Sequence, residues 1–500
     1  MRFVPLYARS VTAVEATLYA LLLGAGAAAV WRRPAVALSL FVVGLALHNA
    51  AMASLYAAGV RGTMLTAIAA WKEILLAVAL LRVARDALRA RALPFRPGAV
   101  DGLALAFAAL VVAYGLVPQS ALGGSASTKA VALGLRHDLV PVGAYLLGRS
   151  LRLDRPELRR LGWTLLGTAG FVAALGLVDA YAVPIGWWRT NGVVDYFHEQ
   201  LGYDYHGTGV NPKVAGLPEN FVYNVGGDRP FLRRLVSTFL SPLASSYLFV
   251  VALLGTAAVA RRRRPAALAL GALAAAGLLW TFSRSALLAL AVGLVVLAAL
   301  RRRPHELGAA VAVVAVAFAW VHVFPSIAPT GRWTPADLRY QHEIASRNPT
   351  ASNAPASVNE SSLGEHWRSL EDGVATIARH PQGYGLGNAG QTASRTGTPL
   401  KAGESNYTEL GVELGIVGAL VWIAWVLALL AALVRAARDD RWAAGAAAAF
   451  AATLALAVQT DVIGDPWVAY CVWALGGSLA LVGARRVEPA VPLPATAEAR

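Results

Sequence analysis

The sequence predicts an all-α polytopic membrane protein. Of its 500 residues, 57% are hydrophobic and only 15% are charged, a balance that a water-soluble domain could not solvate. The formal charge of +15 comes mainly from arginines that stand in short clusters between apolar runs. Clusters of this kind orient helices in a membrane. Because they do not form one continuous basic face, they do not indicate nucleic-acid binding.

About 13 apolar runs approach the ~20 residues that a transmembrane helix needs. They lie at about 11–30, 34–58, 63–81, 99–118, 128–149, 161–182, 236–260, 265–280, 285–300, 307–325, 408–433, 442–460 and 467–484. Arginine clusters at 32–33, 82–96, 149–160, 261–264, 301–303, 435–441 and 485–486 then share one side, which the positive-inside rule assigns to the cytoplasm. If one early run is re-entrant or two runs merge, the count becomes about 12 and Met1 moves from the outside to the inside.

The lengths of the connections divide the chain into four parts. Residues 1–325 hold the first set of helices and an outer loop at 184–234, residues 326–406 form a large outer loop, residues 407–486 hold the last helices, and residues 487–500 form a disordered tail. The loop at 184–234 is rich in aromatic residues. Their faces suit either sugar rings or the membrane interface, and the sequence leaves both interpretations open.

The large outer loop becomes ordered in its second half. A polar stretch rich in Pro and Ser runs to Glu360 and is predicted to be irregular. A capping-box pattern at 362–365 and an apolar stripe formed by Trp367, Leu370, Val374 and Ile377 then predict an amphipathic helix across the mouth of the bundle. This helix ends at His380-Pro381, where a glycine-rich turn follows.

Cations gather on the outer side at four places. They are Arg136 within a span, Arg233 and Arg234 before another, Arg284 in a turn between two runs that are predicted to pack as a hairpin, and Arg368 on the amphipathic helix. Convergent arginines would form a clamp for an anion, because guanidinium binds phosphate oxygens bidentately and keeps its charge. The alternatives are a snorkelling Arg284 and an Arg136 neutralised by the nearby Asp138.

Other charged residues favour structural roles. Lys72 and Glu73 are adjacent in an apolar run, so they should reach separate partners. On the outer side we find no Asp-x-Asp pair and no cluster of His and carboxylates with metal-ligand spacing, which disfavours a metal-dependent enzyme. Cys471, the one cysteine, cannot form an intramolecular disulfide.

Four motifs in combination resemble the O-antigen ligase and polymerase family. They are R-x-x-S-T-F-x-x-P at 234–242, T-F-S-R-S-A at 281–286, H-P-x-G-x-G-x-G at 380–387, and N-Y-x-E-L-G-x-E-L-G-I-V-G at 406–418. The resemblance covers roughly residues 130–435. It implies a C-type glycosyltransferase fold in the bacterial inner membrane, with a large, partly helical periplasmic loop and an active site that faces the periplasm.

The resemblance also implies substrates and roles. The donor would be an undecaprenyl-diphosphate-linked glycan embedded among the membrane lipids, and the acceptor would be a sugar hydroxyl of the lipid A core or of another glycan. The transfer would need no metal ion or other cofactor. Arg234 and Arg284 match the arginines of the family near the diphosphate, and Arg136 is the candidate for a third. Arg368, Asn406 and Tyr407 are predicted to bind the glycan or the acceptor.

One position departs from the family pattern. Ligases commonly have a histidine at the end of the large loop, where this chain has Glu404-Ser405-Asn406. Glu404 could accept the proton of the acceptor in its place, because partial desolvation raises the pKa of a carboxyl group. A favourable interaction with the helix dipole is the structural alternative for this residue. His380 is the second candidate for the base, and His342 is a third.

Several functions remain open at this stage. A ligase, a repeat-unit polymerase and an enzyme that glycosylates protein would share the same arginine clamp. The competing class is a transporter or flippase of lipid-linked glycans, which would also need intramembrane cations. Transporters usually contain internal repeats, and the sequence has no convincing repeat between its halves.

Overall fold

The all-helical polytopic class is confirmed. A computed structural model describes residues 6–203, 217, 220–225, 229–259, 264–335, 337–339, 342, 346, 361–401 and 405–480. Among these residues, eight helices are long and apolar enough to cross a membrane, and four shorter apolar helices accompany them. The tail predicted at 487–500 and most of the polar stretch before Glu360 lie outside the described residues.

The first half of the chain forms seven helices and one 3₁₀ turn. They are α1 (Leu6–Arg32), α2 (Val36–Ala57), α3 (Gly62–Ala69), α4 (Trp71–Ala90), α5 (Ala99–Leu116), the turn Gln119–Leu122, α6 (Thr128–Ser150) and α7 (Arg155–Ala182). Each apolar run predicted in this half coincides with a helix. The run at 63–81 forms two helices instead of one, because a break at Ala70 divides it into α3 and α4.

The second half adds the remaining helices and a small sheet. The connection after α7 contains α8 (Ile185–Thr190), α9 (Val193–Asp195), a π-helical turn (Tyr196–Gln200), β1 (Val222–Tyr223), β2 (Phe231–Arg233) and a 3₁₀ turn (Ser237–Phe239). Then come α10 (Pro242–Val259), α11 (Arg264–Trp280), α12 (Arg284–Arg301), α13 (Pro304–Ile327), β3 (Thr330–Gly331), α14 (Ser361–Arg379), α15 (Gly390–Thr396), α16 (Asn406–Ala436), α17 (Arg441–Leu456) and α18 (Pro466–Leu479).

One end of the bundle, here called the arginine-rich face, gathers the helix ends at 31–36, 82–101, 149–163, 301–306 and 435–442. Ion pairs join Arg33 to Glu157 at 2.5 Å, Arg149 to Asp101 at 2.7 Å and Arg301 to Glu306 at 2.8 Å. The first two contacts connect segments that are far apart in sequence, and Arg301 Nη1 also donates to the Ala257 carbonyl near the end of α10 at 2.8 Å. Trp442 packs on Gly162, which joins the cluster at 435–441 to the one at 149–160. The prediction that the arginine clusters share one side is therefore confirmed for the clusters that the structure describes.

The opposite end, here called the loop face, carries the long connections. Its segments are joined by hydrogen bonds between the loops: Gly62 N donates to Gln200 Oε1 at 2.8 Å, and His380 Nε2 lies 2.7 Å from the Leu122 carbonyl oxygen. The sheet adds another link, because β2 pairs antiparallel with both β1 and β3. It therefore joins the outer connection after α7 to the one after α13.

The turn between α11 and α12 is present as predicted, but the hairpin packing is wrong. Gly277 of α11 lies against Ala173 of α7 and Phe249 of α10, while Gly293 of α12 lies against Leu254 of α10 and the Ala448 carbonyl of α17. Small residues let backbones approach closely in a membrane, so they direct each helix to its neighbour. Each helix of the presumed hairpin therefore packs mainly against other helices.

The aromatic residues of the 184–234 loop mainly form a small core. Trp188, Tyr196, Phe197 and Phe221 are buried together with residues of α2 and α3, such as Tyr56 and Leu65. Trp187 is 51% exposed. The buried rings hold the loop on the bundle, which favours a structural role for them over sugar stacking.

The predicted amphipathic helix is confirmed as α14. Gly373 packs against Thr408, and Ile377 packs against Gly411, so this side of the helix rests on the start of α16. Trp367 and Val374 are 64% and 56% exposed. The apolar stripe is therefore divided between a docked part and an exposed part, as expected of a helix that lies at a membrane surface.

Candidate functional site

Two of the predicted arginines lie at the turn between α11 and α12. Arg234 Nε donates to the Thr281 carbonyl at 2.8 Å, and its Nη1 donates to Asn220 Oδ1 at 3.4 Å. The backbone N–H of Leu235 donates to the Trp280 carbonyl at 2.9 Å. Arg284 is the first residue of α12 and is half-buried. The structure therefore brings the buried guanidinium of Arg234 to the turn that begins the helix of Arg284.

Phe282 fixes the conformation of this turn. Its φ of 51° lies in the left-handed region, which is uncommon for a bulky residue and is retained where the surroundings enforce it. Its ring stacks on Phe324 at 4.5 Å and meets Tyr223 edge to face at 5.1 Å. The aromatic contacts hold the backbone that carries Arg284.

Arg233 has a different partner from its neighbour. It forms an ion pair with Asp179 at 3.5 Å and donates to the Val183 carbonyl. Since Arg233 lies in β2 and is bound to the end of α7, its role is to attach the strand to the bundle. Of the two adjacent arginines, Arg234 is the one that reaches the turn.

Arg136 is paired with Glu73 and not with the nearby Asp138. Its Nε lies 2.5 Å from Glu73 Oε1, and 37% of its side chain is exposed. Lys72 Nζ instead lies 3.3 Å from His48 Nε2 and donates to the Ala69 carbonyl at 2.5 Å. Lys72 and Glu73 thus have separate principal partners, as predicted, although they are also 3.7 Å apart.

A buried cluster of carboxylates surrounds His137, and we call it the carboxylate cluster (His137, Asp138, Glu409 and Asp461). His137 Nδ1 lies 2.7 Å from Asp138 Oδ1, and its Nε2 lies 3.0 Å from Asp461 Oδ2. Glu409 belongs to the cluster because its carboxylate lies within 4.8 Å of the ligand atoms of His137 and Asp461. The cluster is not visible in the sequence, since α6, α16 and the loop before α18 contribute to it from distant positions.

These residues offer a donor set that could hold a metal ion. His137, Glu409 and Asp461 could each supply one ligand atom, and nitrogen and carboxylate oxygen are common metal ligands. However, His137 Nε2 and Asp461 Oδ2 already bond to each other, so a metal would have to replace that hydrogen bond. The sequence contains no such cluster at short spacing on the outer side, and the expectation that none exists there is wrong. Folding brings residues 137 and 461 together.

A cavity opens beside the carboxylate cluster, and we call it the loop-face cavity. Its polar lining comes from Arg136, His137, Gln391, Thr392, Arg395 and Asp461. Arg395 Nε donates to the Leu201 carbonyl at 3.0 Å, and the guanidinium lies 5.1 Å from the centre of the Tyr203 ring. The cavity has a volume of only about 40 Å³ and combines two guanidinium groups with the Asp461 carboxylate and neutral polar groups, a lining that suits one small polar group. Arg395 is not among the site residues predicted from the sequence.

The glycine-rich turn is built around Glu413. The backbone N–H groups of Gly387 and Ala389 donate to Glu413 Oε1 at 2.8 and 3.1 Å, and the N–H of Gly385 donates to its backbone carbonyl at 2.9 Å. Gly415 has a φ of 70° and interrupts the helical geometry of α16 where the turn crosses it. Two of the motifs that carry the family resemblance are therefore a single structural unit.

His380 is engaged at both ring nitrogens. Its Nε2 lies 2.7 Å from the Leu122 carbonyl oxygen, and its Nδ1 lies 3.2 Å from Gln382 Nε2. The ring stacks on Tyr384 at 3.9 Å. One neutral tautomer satisfies both bonds, with Nε2 donating and Nδ1 accepting. The side chain therefore holds the glycine turn against the connection after α5.

The other predicted site residues are dispersed. Asn406 is fully buried, donating to Asp461 Oδ1 at 2.5 Å and accepting from the N–H of Val462 at 2.7 Å. Tyr407 Oη donates to the Leu454 carbonyl at 3.1 Å. Arg368 is exposed, and its Nε donates to the Gly364 carbonyl at 3.2 Å. His342 is also exposed, and Glu404 lies outside the described residues.

Comparison with known proteins supports the family resemblance. A family model described as O-antigen ligase matches residues 269–423, from α11 into α16. This segment includes Arg284, the glycine-rich turn and Glu413, whereas Arg136 and Arg234 precede it. The match supports the O-antigen ligase and polymerase family for this multi-pass membrane protein, and with it glycosyl transfer of the ligase or polymerase type. No curated protein matches the chain.

Proposed function

We propose that the chain transfers a glycan from an undecaprenyl-diphosphate carrier to a sugar hydroxyl of an acceptor at the loop face. The observation that carries this proposal is the hydrogen bond from Arg234 to the Thr281 carbonyl, because it places Arg234 at the turn that leads to Arg284. Guanidinium groups bind phosphate oxygens in a fixed, bidentate geometry. The positive-inside rule assigns the arginine-rich face to the cytoplasm, so the loop face would meet the periplasm.

The proposed reaction is an inverting transfer without a metal ion or other cofactor. The acceptor oxygen attacks the anomeric carbon while the bond from that carbon to the diphosphate oxygen breaks. The lipid diphosphate leaves with the electron pair, and a base of the protein takes the acceptor proton. Arg234 and Arg284 stabilise the negative charge that develops on the leaving oxygen, a contribution that preorganised cations make most effectively away from bulk water.

Glu404 is the base that we propose. It directly precedes Ser405, which accepts a hydrogen bond from the N–H of Tyr407 at 3.3 Å and donates to the Ala457 carbonyl at 3.1 Å. These bonds tie the end of the large loop to the rim that also carries Asp461. His380 would have to give up the bond at Nδ1 to accept a proton, which favours Glu404 over it.

The loop-face cavity is the proposed site for one small polar group of the substrates, because its volume is only about 40 Å³. Arg136 and Arg395 would attract an anionic group to its mouth, and Gln391 and Thr392 could hydrogen-bond to a hydroxyl there. Arg368 and Tyr407 are proposed to contact the glycan or the acceptor nearer the large loop. We propose that Asn406 acts by positioning, since both ends of its amide hold the segment at 461–463.

The test is the fate of lipid-linked glycan in cells whose only copy of the protein carries Arg284→Ala. Long glycans that accumulate on the carrier in the outer leaflet would identify a ligase, and single repeats there would identify a polymerase. Accumulation confined to the inner leaflet would identify a flippase and contradict the proposal, as would normal glycan transfer. The matched control is Arg332→Ala, because Arg332 is an exposed arginine on the same face.

A further inference from the structure

A second cavity lies at the opposite end of the bundle, and we call it the arginine-face cavity. It has a volume of about 470 Å³ and lies between α7, α10, α17 and α18. Apolar side chains form most of its walls, including Leu158, Leu165, Val251, Ala449, Leu475 and Leu479. This volume is within the ~300–1,000 Å³ of ordinary ligand pockets.

Three exposed arginines stand at the cavity, namely Arg155, Arg159 and Arg441. None of their guanidinium groups forms a hydrogen bond or ion pair with another residue that the structure describes. Other arginines of the same face are neutralised, since Arg149 is paired with Asp101 and Arg301 with Glu306. The cavity therefore collects arginines whose guanidinium groups remain available to a ligand.

The acidic residues at the cavity do not cancel this charge. Asp440 caps α17, with its Oδ1 accepting from the N–H groups of Trp442 at 2.6 Å and Ala443 at 3.4 Å. Asp439 is the other acid in the lining, so three arginines face two aspartates. The helices α7 and α17 also begin here, and their N-terminal ends favour an anion.

We propose that the arginine-face cavity binds an anionic phospholipid from the adjacent leaflet. Arg155, Arg159 and Arg441 would bind the phosphate of the headgroup, and the apolar walls would hold part of an acyl chain. A free phosphate ion would make no apolar contacts with the walls, and a lipid without net charge would be attracted less strongly by the arginines. Basic pockets between membrane helices are known to bind anionic headgroups in this way.

Two tryptophans support a lipid as the occupant. Trp163 and Trp442 line the cavity together with the three arginines, and indole rings favour the boundary between headgroups and acyl chains. Trp442 packs directly on Gly162, where an added Cβ would come within 2.8 Å of its ring. This proposal does not depend on the transfer reaction, because the cavity and the glycan site lie on opposite faces.

The experiment measures lipid binding to the purified full-length protein in detergent, by native mass spectrometry. The probes are phosphatidylglycerol, phosphatidylcholine and inorganic phosphate. We expect phosphatidylglycerol to bind, and its affinity to fall at least about tenfold when Arg155→Ala, Arg159→Ala and Arg441→Ala are combined. The matched control combines Arg152→Ala, Arg160→Ala and Arg438→Ala, which removes the same charge from exposed neighbours outside the cavity lining. We expect the control to change the affinity less than about twofold.

A second variant tests the apolar part of the cavity. A Cβ added at Gly255 would lie 3.8 Å from Leu165 Cδ2, so there is room for a side chain that fills the cavity. We expect Gly255→Leu to weaken phosphatidylglycerol binding without lowering the melting temperature of the lipid-free protein. Three results would each overturn the proposal. They are equal losses of phosphatidylglycerol affinity in both arginine variants, unchanged lipid binding in Gly255→Leu, and phosphatidylcholine binding as tight as phosphatidylglycerol binding. Inorganic phosphate that binds with the same dependence on the three arginines would overturn it in favour of a soluble anion.

Discussion

The two ends of the bundle hold their arginines in different ways. On the arginine-rich face, Arg149 and Arg301 are bound to carboxylates, which fix the side chain and cancel its charge. On the loop face, Arg234 and Arg395 donate to the backbone carbonyls of Thr281 and Leu201, which orient the guanidinium groups. A buried carboxylate partner such as Asp101 indicates an arginine that stabilises the fold, whereas the arginines that are proposed to bind substrate differ in their acceptors, because Arg136 is paired with the part-exposed Glu73.

The largest effect is expected on the stability of the protein, when an arginine that holds the fold is removed. Arg149 and Asp101 are both buried, and Tyr145 also donates to Asp101 at 2.7 Å. Arg149→Ala leaves the Asp101 carboxylate without its counter-ion, so we expect a loss of about 3–5 kcal/mol in unfolding free energy. Thermal unfolding in detergent would show a large fall in the melting temperature. The double variant Arg149→Met with Asp101→Leu should recover much of it, and a single variant as stable as the wild type would refute the comparison.

The next largest effect is expected on glycan transfer, when an arginine that is proposed to bind the diphosphate is removed. We expect Arg234→Ala to reduce glycan transfer about 10²–10³-fold, because it removes a preorganised donor for the leaving diphosphate. Arg234→Lys should recover only part of this activity, since an ammonium lacks the bidentate fork. Transfer is measured with protein of verified folding, and Arg332→Ala serves as the control. If Arg234→Lys were fully active, the clamp would need only a charge, and the proposed bidentate geometry would be wrong.

A smaller effect is expected at Asn406, where binding and positioning can be told apart. Asn406→Ala leaves the N–H of Val462 without its acceptor and Asp461 without one donor, which should cost about 1–3 kcal/mol of stability. Because the role is positioning, kcat should fall while KM for the acceptor changes little. A rise in KM with unchanged stability would instead identify Asn406 as a direct acceptor contact.

The smallest effect concerns the carboxylate cluster. We expect chelators to leave transfer and melting temperature unchanged, because His137 already bonds to one carboxylate oxygen of Asp138 and one of Asp461. The measurement compares protein treated with a chelator with the same protein after divalent ions are restored. Activity that is lost and then recovered with a divalent ion would show that His137, Glu409 and Asp461 hold a metal.

Local sequence patterns predicted the features that depend on local chemistry. Hydrophobic runs gave the helices, the arginine clusters gave their common face, and the stripe from Trp367 to Ile377 gave α14. The turn before Arg284 was also recognisable, because it interrupts two apolar runs.

Features that depend on contacts between distant segments could not be predicted in the same way. The partner of Arg136 is Glu73 on another helix, although Asp138 is nearer in sequence. The pairing of His137 with Asp461 joins residues separated by 324 positions. Periodicity describes the face of one helix, whereas the neighbours of that face depend on how all the helices pack. The same reason explains why Arg395 and the two cavities were not anticipated.

The central claim is that Arg234 and Arg284 form a clamp for the diphosphate of the donor. The most direct measurement compares the affinity of the purified protein for undecaprenyl diphosphate with its affinity for undecaprenyl monophosphate, in the wild type and in Arg234→Ala, Arg284→Ala and the control Arg332→Ala. We expect the wild type and the control to prefer the diphosphate by at least about tenfold, and both clamp variants to lose this preference. A preference that persists in both clamp variants would show that Arg234 and Arg284 do not bind the diphosphate.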